Sequence, residues 1–167
     1  MSSKLLVDFI VNKENKTLHI AREFDAGLAL VWRAWTTPEL LDQWWGPKPW
    51  KAETKTMDFR EGGSWLYAMV SPEGEKHWSK TNFISIAKEK SFSSKGGFSD
   101  ENGKINPAFP QNLWENRFTP GDHNVRVDML LTYDTLADLE KEMEMGFKEG
   151  MMIDFQQLDE LLSTLKK

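Results

Sequence analysis

The chain has 167 residues, 40% hydrophobic and 28% charged, which is typical of one folded domain with a single core. Its net charge of -5 and its sequence pI of about 5.3 exclude the basic excess that nucleic-acid binding needs, so we expect no nucleic-acid partner. The absence of cysteine excludes disulfides and thiolate metal sites and fits a cytoplasmic protein, and no apolar run is long enough to span a membrane.

The N-terminal part of the chain predicts a β-hairpin followed by two short helices. The strands are expected at Leu5–Val11 and Thr17–Phe24, because a turn-forming Asn-Lys-Glu-Asn segment separates them. Apolar residues then recur at helical spacing over Leu28–Trp35, with Asp25 as the expected N-cap. A second helix is expected to begin at Pro38 and to end before a Gly-Pro pair.

The middle of the chain, from Lys51 to Tyr133, changes to an apolar period of two, with glycine-containing turns between the apolar segments. This pattern predicts an antiparallel meander, and the segment Ser99–Pro110 interrupts it as a longer loop. The expected strands are Lys51–Phe59, Ser64–Val70, His77–Ile86, Ser91–Phe98, Asn112–Phe118 and Asn124–Thr132.

The C-terminal segment predicts a long amphipathic helix. Thr135 is its expected N-cap, with Asp138 at the N3 position, and an apolar stripe then continues to Leu165. Gly146 and Gly150 lie one turn apart and weaken a helix, so one kinked helix and two separate helices both remain open.

These elements predict a single α+β domain over residues 1–167, with helices on one face of an antiparallel sheet. Only the C-terminal helix is long enough to cover the sheet. The space between the two layers is a core if side chains fill it and a pocket if they do not.

Six motifs in the chain carry a resemblance to a known family. They are Arg22–Ala26, Val31–Leu40, Gln43–Pro47, Gly62–Trp65, Met143–Gly150 and Gln157–Leu161. Together they resemble the proteins similar to the activator of the Hsp90 ATPase, within the START-like, SRPBCC or Bet v 1-like superfamily, and the resemblance runs from about Leu5 to Lys166. It implies the helix-grip fold, in which a curved antiparallel sheet wraps around a long C-terminal helix over a hydrophobic cavity and two short helices close one end.

Aromatic and methionine side chains with one acidic residue form the candidate ligand site, because such walls are apolar and adaptable. The alternative is that the same side chains form an ordinary core. The candidates are Trp65, Tyr67, Trp78, Phe83, Trp114, Phe118, Met143, Phe147, Met151, Asp154 and Phe155.

Polar residues near this set are candidates for orienting a ligand. Asp154 falls within the apolar stripe, where it is either a cavity anchor or a residue at the stripe edge that reaches solvent. Tyr67, Asn82 and Asn116 could supply hydrogen bonds, whereas His77 is better explained as a solvated histidine at a strand end.

The expected function is the binding of an unidentified hydrophobic small molecule between sheet and helix. One alternative is a protein-interaction module that acts on an Hsp90-type ATPase, as the resemblance implies. Another is a cavity enzyme that uses Asp154, Tyr67 or His77. No catalytic motif supports enzyme chemistry, and neither a cofactor nor a metal site is expected, since the three histidines lack ligand spacing.

Two segments are candidates for a protein partner or a homodimer contact. The first is the possible edge strand Leu5–Val11, and the second is the Trp-rich block Trp44–Trp50. The block is more simply explained as packing between the short helices and the end of the sheet.

Overall fold

The computed structural model describes residues 7–166, which form one eight-stranded antiparallel sheet and four helices. In chain order the elements are β1 (Val7–Asn12), β2 (Thr17–Phe24), α1 (Leu28–Thr36), α2 (Pro38–Trp44), β3 (Lys51–Met57), β4 (Ser64–Val70), β5 (Lys76–Ala87), β6 (Ser91–Ser99), β7 (Asn112–Pro120), β8 (Val125–Tyr133), α3 (Leu136–Glu144) and α4 (Phe147–Leu165).

The sheet has the order β1-β2-β8-β7-β6-β5-β4-β3, so a six-stranded meander is extended by the N-terminal hairpin. Strand β2 pairs with β8 from Thr17 opposite Thr132 to Phe24 opposite Val125. The register shifts within β3 and again within β5. Such bulges increase the local twist and bend a strand, which helps the sheet to curve around the helices.

The α+β helix-grip prediction is confirmed, and most element ends lie within two residues of those expected from sequence. The N-cap of α1, however, is Gly27 and not Asp25. The Asp25 carboxylate instead lies 3.2 Å from Lys166 Nζ. The predicted first strand began at Leu5, and residues 5 and 6 lie outside the described part of the chain.

The C-terminal segment forms two helices, which settles the alternative left open by its glycines. Helix α3 ends at Glu144, and Gly146 adopts a left-handed backbone with φ 87° before α4 begins. A residue with a side chain is strained in this conformation, so glycine ends the first helix here. Gly150 lies inside α4, and a Cβ built on it would be 3.5 Å from Pro47 Cγ.

Helix α4 lies against the sheet and against the two short helices. Phe155 on α4 meets Phe24 on β2 edge to face, with ring centroids 5.8 Å apart. Arg22 on β2 donates two hydrogen bonds of 2.7 and 2.6 Å to the Asp159 carboxylate on α4. This end of the molecule is therefore a filled core, tied by a bidentate ion pair. Among the described residues, no helix is long and apolar enough to cross a membrane.

Candidate ligand cavity

A cavity of about 530 Å³ separates the concave face of β4–β7 from α3 and α4. Small-molecule sites in proteins commonly have this size. Alternate residues of each strand point into the cavity, as the pleat requires. On β4 these residues are Trp65, Tyr67 and Met69, and on β7 they are Asn112, Trp114 and Asn116.

Five tryptophans supply much of the cavity wall, and Trp45 lies at their centre. Its ring centroid is 6.5 Å from that of Trp35, 6.0 Å from Trp65 and 5.9 Å from Trp114. The fifth, Trp50, lies on the loop between α2 and β3, and its ring is tilted against that of His77 with centroids 5.4 Å apart. The wall is therefore apolar and rich in aromatic rings.

Hydrogen bonds fix the orientation of three of these indoles. Trp45 Nε1 donates to Tyr67 Oη at 3.0 Å, and Trp65 Nε1 donates to Thr54 Oγ1 at 2.9 Å. Trp114 Nε1 donates to Asn112 Oδ1 at 2.9 Å. Because each buried N–H has a partner, these rings are held in one geometry.

Asp154 lies in the cavity wall on α4 and is only 3% exposed. Its Oδ1 accepts a hydrogen bond of 3.1 Å from the backbone N–H of Gly46. Burial raises the pKa of the Asp154 carboxyl to about 8, and the Gly46 hydrogen bond opposes this shift. The side chain is therefore mostly protonated at neutral pH.

Glu142 on α3 is a second carboxyl in the wall. Its Oε1 accepts hydrogen bonds of 2.9 Å from Asn112 Nδ2 and from Tyr133 Oη. Burial raises the pKa of Glu142 to about 7, although these hydrogen bonds lower it, and Asp138 adds a smaller increase. Burial also raises the pKa of Tyr67 and of Tyr133, so both phenols stay neutral.

Gln157 on α4 holds the loop that carries part of the cavity wall. Its Nε2 donates to the carbonyls of Trp44 and Gly46 at 3.0 and 2.9 Å, and its Oε1 accepts from Lys48 N at 3.0 Å. These three bonds, with the one from Gly46 to Asp154, fix the loop against the helix.

The structure brings seven of the eleven predicted site residues together in the wall, and ligand binding by them stays a prediction. Asp154 lies inside the wall and does not reach solvent at a stripe edge. The seven are Trp65, Tyr67, Phe83, Trp114, Phe147, Met151 and Asp154.

The other four predicted residues lie outside the cavity wall. Trp78 lies on the outer face of the sheet, where Lys55 and Lys76 approach its ring. Alternate residues of β5 point towards the cavity, and His77 is one of these while Trp78 is not. Phe118 shares a face with Trp114 but lies further along β7, where Trp32 is 5.1 Å away and fills the space.

Phe155 is fully buried, and its ring lies against Phe24 in the core, outside the set of residues that line the cavity. Met143 packs partly buried against the core from α3, one residue beyond the wall residue Glu142. Both residues belong to the apolar stripe of the C-terminal segment, but this stripe extends beyond the cavity.

Sequence reasoning missed several wall residues. Trp45 and Trp50 belong to the Trp-rich block that was interpreted as packing, and only Trp44 of the three is fully buried. Glu142 has the appearance of an ordinary charged helix residue, because its partners are distant in sequence.

The sequence also predicted three other polar residues near the site. Asn116 lines the cavity, His77 lies at its rim with a 55% exposed side chain, and Asn82 is exposed elsewhere.

Comparison with known proteins identifies a protein family that matches most of this chain. The family model described as "Activator of Hsp90 ATPase homolog 1-like protein" matches residues 25–163. A search of curated proteins finds no match.

Solved bacterial structures share the fold over nearly their whole length. A crystal structure from Mycobacterium smegmatis is 30% identical, with a TM-score of 0.86, covering 95% of this chain and 97% of that one. A solution structure from Arthrobacter aurescens is also 30% identical, with a TM-score of 0.88 and coverages of 94% and 91%. A crystal structure from Nitrosomonas europaea is 29% identical, with a TM-score of 0.80 and coverages of 91% and 97%. The chain therefore belongs to the family of Activator of Hsp90 ATPase homolog 1-like proteins.

Proposed function

We propose that the protein binds a hydrophobic small molecule in the cavity between the sheet and helices α3 and α4. The observation that carries this proposal is the cavity itself, about 530 Å³ of space with a mainly apolar lining. Unfilled apolar space costs stability, since its lining loses packing contacts. A ligand that fills it would recover those contacts.

The fixed geometry of the wall supports the same proposal. Hydrogen bonds orient Trp45, Trp65 and Trp114, and Gln157 holds the adjoining loop. A wall that is already ordered loses little conformational entropy when a ligand binds. Few polar groups interrupt the apolar lining, and such groups orient a ligand in a pocket of this kind.

Filling the cavity with protein atoms tests the proposal. Met151 lies in the wall, and Met151→Trp places a larger side chain in the same space. We expect this variant to abolish binding of the uncharged fluorescent probe N-phenyl-1-naphthylamine, measured by fluorescence titration. Ile153→Trp is the matched control, because Ile153 lies on the same helix and is 37% exposed on its outer side.

The result that would overturn the proposal is equal probe affinity in Met151→Trp and the unchanged protein when both have a native circular dichroism spectrum. Mass spectrometry of the purified protein, under native and then denaturing conditions, identifies any molecule that co-purifies in the cavity.

The family match favours a second candidate, an interaction with an Hsp90-type ATPase. This function predicts that the purified protein raises the ATP turnover of an Hsp90 homologue. If it does so equally in Met151→Trp, the interaction does not depend on the cavity. If the protein neither changes the ATP turnover of the Hsp90 homologue nor is captured with it in a pull-down, this candidate is removed.

A further inference from the structure

We propose that the cavity selects a hydrophobic ligand with a positive charge, such as an organic amine, over a matched neutral or anionic molecule. This inference rests on the proposed function, because it specifies the chemistry of the ligand in the same cavity. Three features of the wall carry it: its ionisable groups, its unused hydrogen-bond acceptors and its aromatic faces.

The ionisable groups of the wall are acidic. Among the described residues, the titratable side chains that line the cavity are Tyr67, His77, Glu142 and Asp154, with no lysine or arginine. An anionic ligand would therefore meet two carboxyl groups and no permanent positive charge. A cationic ligand would supply the missing opposite charge, which buried carboxylates require.

Both carboxyl groups also keep one oxygen free of protein donors. Asp154 Oδ1 accepts from Gly46, and Glu142 Oε1 accepts from Asn112 and Tyr133. In the described part of the chain, the second oxygen of each group accepts no hydrogen bond. Asn116, another wall residue, is 3% exposed, and its Oδ1 has no partner there either. Once Asp154 and Glu142 lose their protons, the wall offers unused acceptors beside one unpartnered donor, Trp35 Nε1. An ammonium group provides donors and no acceptor.

The aromatic faces favour the same class of ligand. A cation is attracted to the negative face of an aromatic ring, most strongly to tryptophan, and cages of such rings bind quaternary ammonium groups. Trp45 lies within 6.5 Å of three other wall tryptophans, measured between ring centroids. Tyr67 stacks on Trp65 at 4.1 Å and extends this surface.

A bound cation should also change the protonation of the wall. Burial raises the pKa of Asp154 to about 8 and that of Glu142 to about 7, so both hold protons near neutral pH in the ligand-free protein. A cation stabilises their ionised forms and releases those protons. The other groups that face them are Tyr67 on β4, His77 on β5, Tyr133 on β8 and Asp138 on α3.

The test compares probes that share one skeleton. The probes are 2-naphthylmethylamine, 2-naphthylmethanol and 2-naphthoate, each titrated by calorimetry at pH 7. We expect the amine to bind about tenfold more tightly than the alcohol, and the carboxylate more weakly than both. The permanent cation (2-naphthylmethyl)trimethylammonium should bind more tightly at pH 8 than at pH 6, because the wall carboxyls lose their protons over this range.

Two substitutions separate charge from shape. Asp154→Asn and Glu142→Gln keep the size of each side chain and its engaged oxygen but remove the ability to ionise. The ratio of amine to alcohol affinity should fall towards one in these variants, and the pH dependence should weaken. Glu144→Gln is the control, since Glu144 is exposed on α3 and its substitution removes a carboxyl group that does not line the cavity.

The outcomes distinguish this inference from the proposed function. If the alcohol binds and Met151→Trp abolishes its binding, but the amine binds no better, the cavity is a ligand site and the charge selection is wrong. If none of the probes binds, the proposed function and the charge selection both fail. An unchanged affinity ratio in Asp154→Asn and Glu142→Gln would also overturn the selection.

Discussion

Asp154 is a carboxyl group whose local surroundings oppose its charge. It is almost completely buried, and its hydrogen-bond donor is a single backbone N–H from Gly46. The neutral amide of nearby Gln157 donates hydrogen bonds to two carbonyl groups of the same loop. An asparagine at position 154 would accept the same hydrogen bond from Gly46. The protein therefore carries an ionisable group at a position where a neutral side chain would hold the loop equally well.

The buried Asp154 makes stability depend on pH. In the unfolded chain its pKa is about 4, whereas in the folded protein it is raised to about 8. Between these values the folded state holds a proton that the unfolded state lacks, so the free energy of unfolding falls as pH rises. The slope is at most about 1.4 kcal/mol per pH unit, and this contribution levels off above the folded-state pKa.

Urea unfolding at pH 5, 6, 7 and 8 checks this dependence. Asp154→Asn lacks the titration, so its stability relative to the unchanged protein should increase steadily over the series. Glu144→Gln, which alters an exposed carboxyl, should keep a constant difference. Parallel curves for Asp154→Asn and the unchanged protein would show that the Asp154 carboxyl titrates near its ordinary pKa.

The break between α3 and α4 gives two glycines opposite roles. Gly146→Ala should lower the free energy of unfolding by about 1 kcal/mol, because φ 87° strains a residue with a Cβ. Gly150→Ala should raise it by up to about 1 kcal/mol, because alanine is the better helix residue and its Cβ would meet Pro47 at an ordinary 3.5 Å. Thermal and urea unfolding of the two variants measure both signs, and equal effects would contradict this assignment.

The loop between α2 and β3 depends on one side chain of α4. Gln157→Leu removes three hydrogen bonds to Trp44, Gly46 and Lys48 and leaves buried backbone groups without them. We expect a loss of about 2–3 kcal/mol in the free energy of unfolding. Gln156→Leu, at an exposed position on the same helix, should change it by less than about 0.5 kcal/mol. Similar losses in the two variants would mean that the loop is held by other contacts.

Elements were easier to predict from sequence than the cavity, and β5 shows why. Turn residues and an apolar period of two place a strand near His77, but they do not reveal which face is inward. Hydrophobicity favours Trp78 for the inside, yet the hydrogen-bond register puts His77, Ser79 and Thr81 there. The energy that decides the face comes from the whole sheet, because the neighbouring strands fix the register.

Polar wall residues show the same limit over longer distances. The apolar stripe of the last helix marks Asp154 as a candidate, since an acidic residue within such a stripe is conspicuous, but it does not decide between the cavity and the solvent edge. Glu142 has no such signal, because its burial results from contacts with Asn112, 30 residues away, and Tyr133. A site residue is predictable when its own helix or strand buries it, and is hidden when distant elements do.

At the scale of the whole molecule, one continuous series of ring-to-ring contacts connects the sheet with the helices. Successive ring centroids along one path are 4.9 to 6.5 Å apart, and the path includes rings from β1, β5, β7, α1 and α4. The path is Phe83, Phe59, Trp32, Phe118, Trp35, Trp45, Trp114, Phe147 and Phe9.

This continuity predicts one cooperative unfolding transition. Tryptophan fluorescence reports on the aromatic path, and far-ultraviolet circular dichroism reports on the helices and strands. We expect the same midpoint and the same slope from the two signals in urea, because neither layer can separate while the rings remain packed. Distinct midpoints would show that the hairpin or the helices unfold independently.

The loop between β6 and β7 lies at the border of the cavity, and its position has an evolutionary consequence. Phe98 and Pro110 line the cavity on either side of this loop, whereas residues 100–109 lie outside the named strands, apart from one bridge from Ile105 to Ser99. Doubling the length of a flexible loop costs only about 0.6 kcal/mol. Insertions and deletions here can therefore reshape the entrance while the sheet and the core stay intact. Under the proposed function, related proteins would change their ligand choice through this loop at little cost to folding.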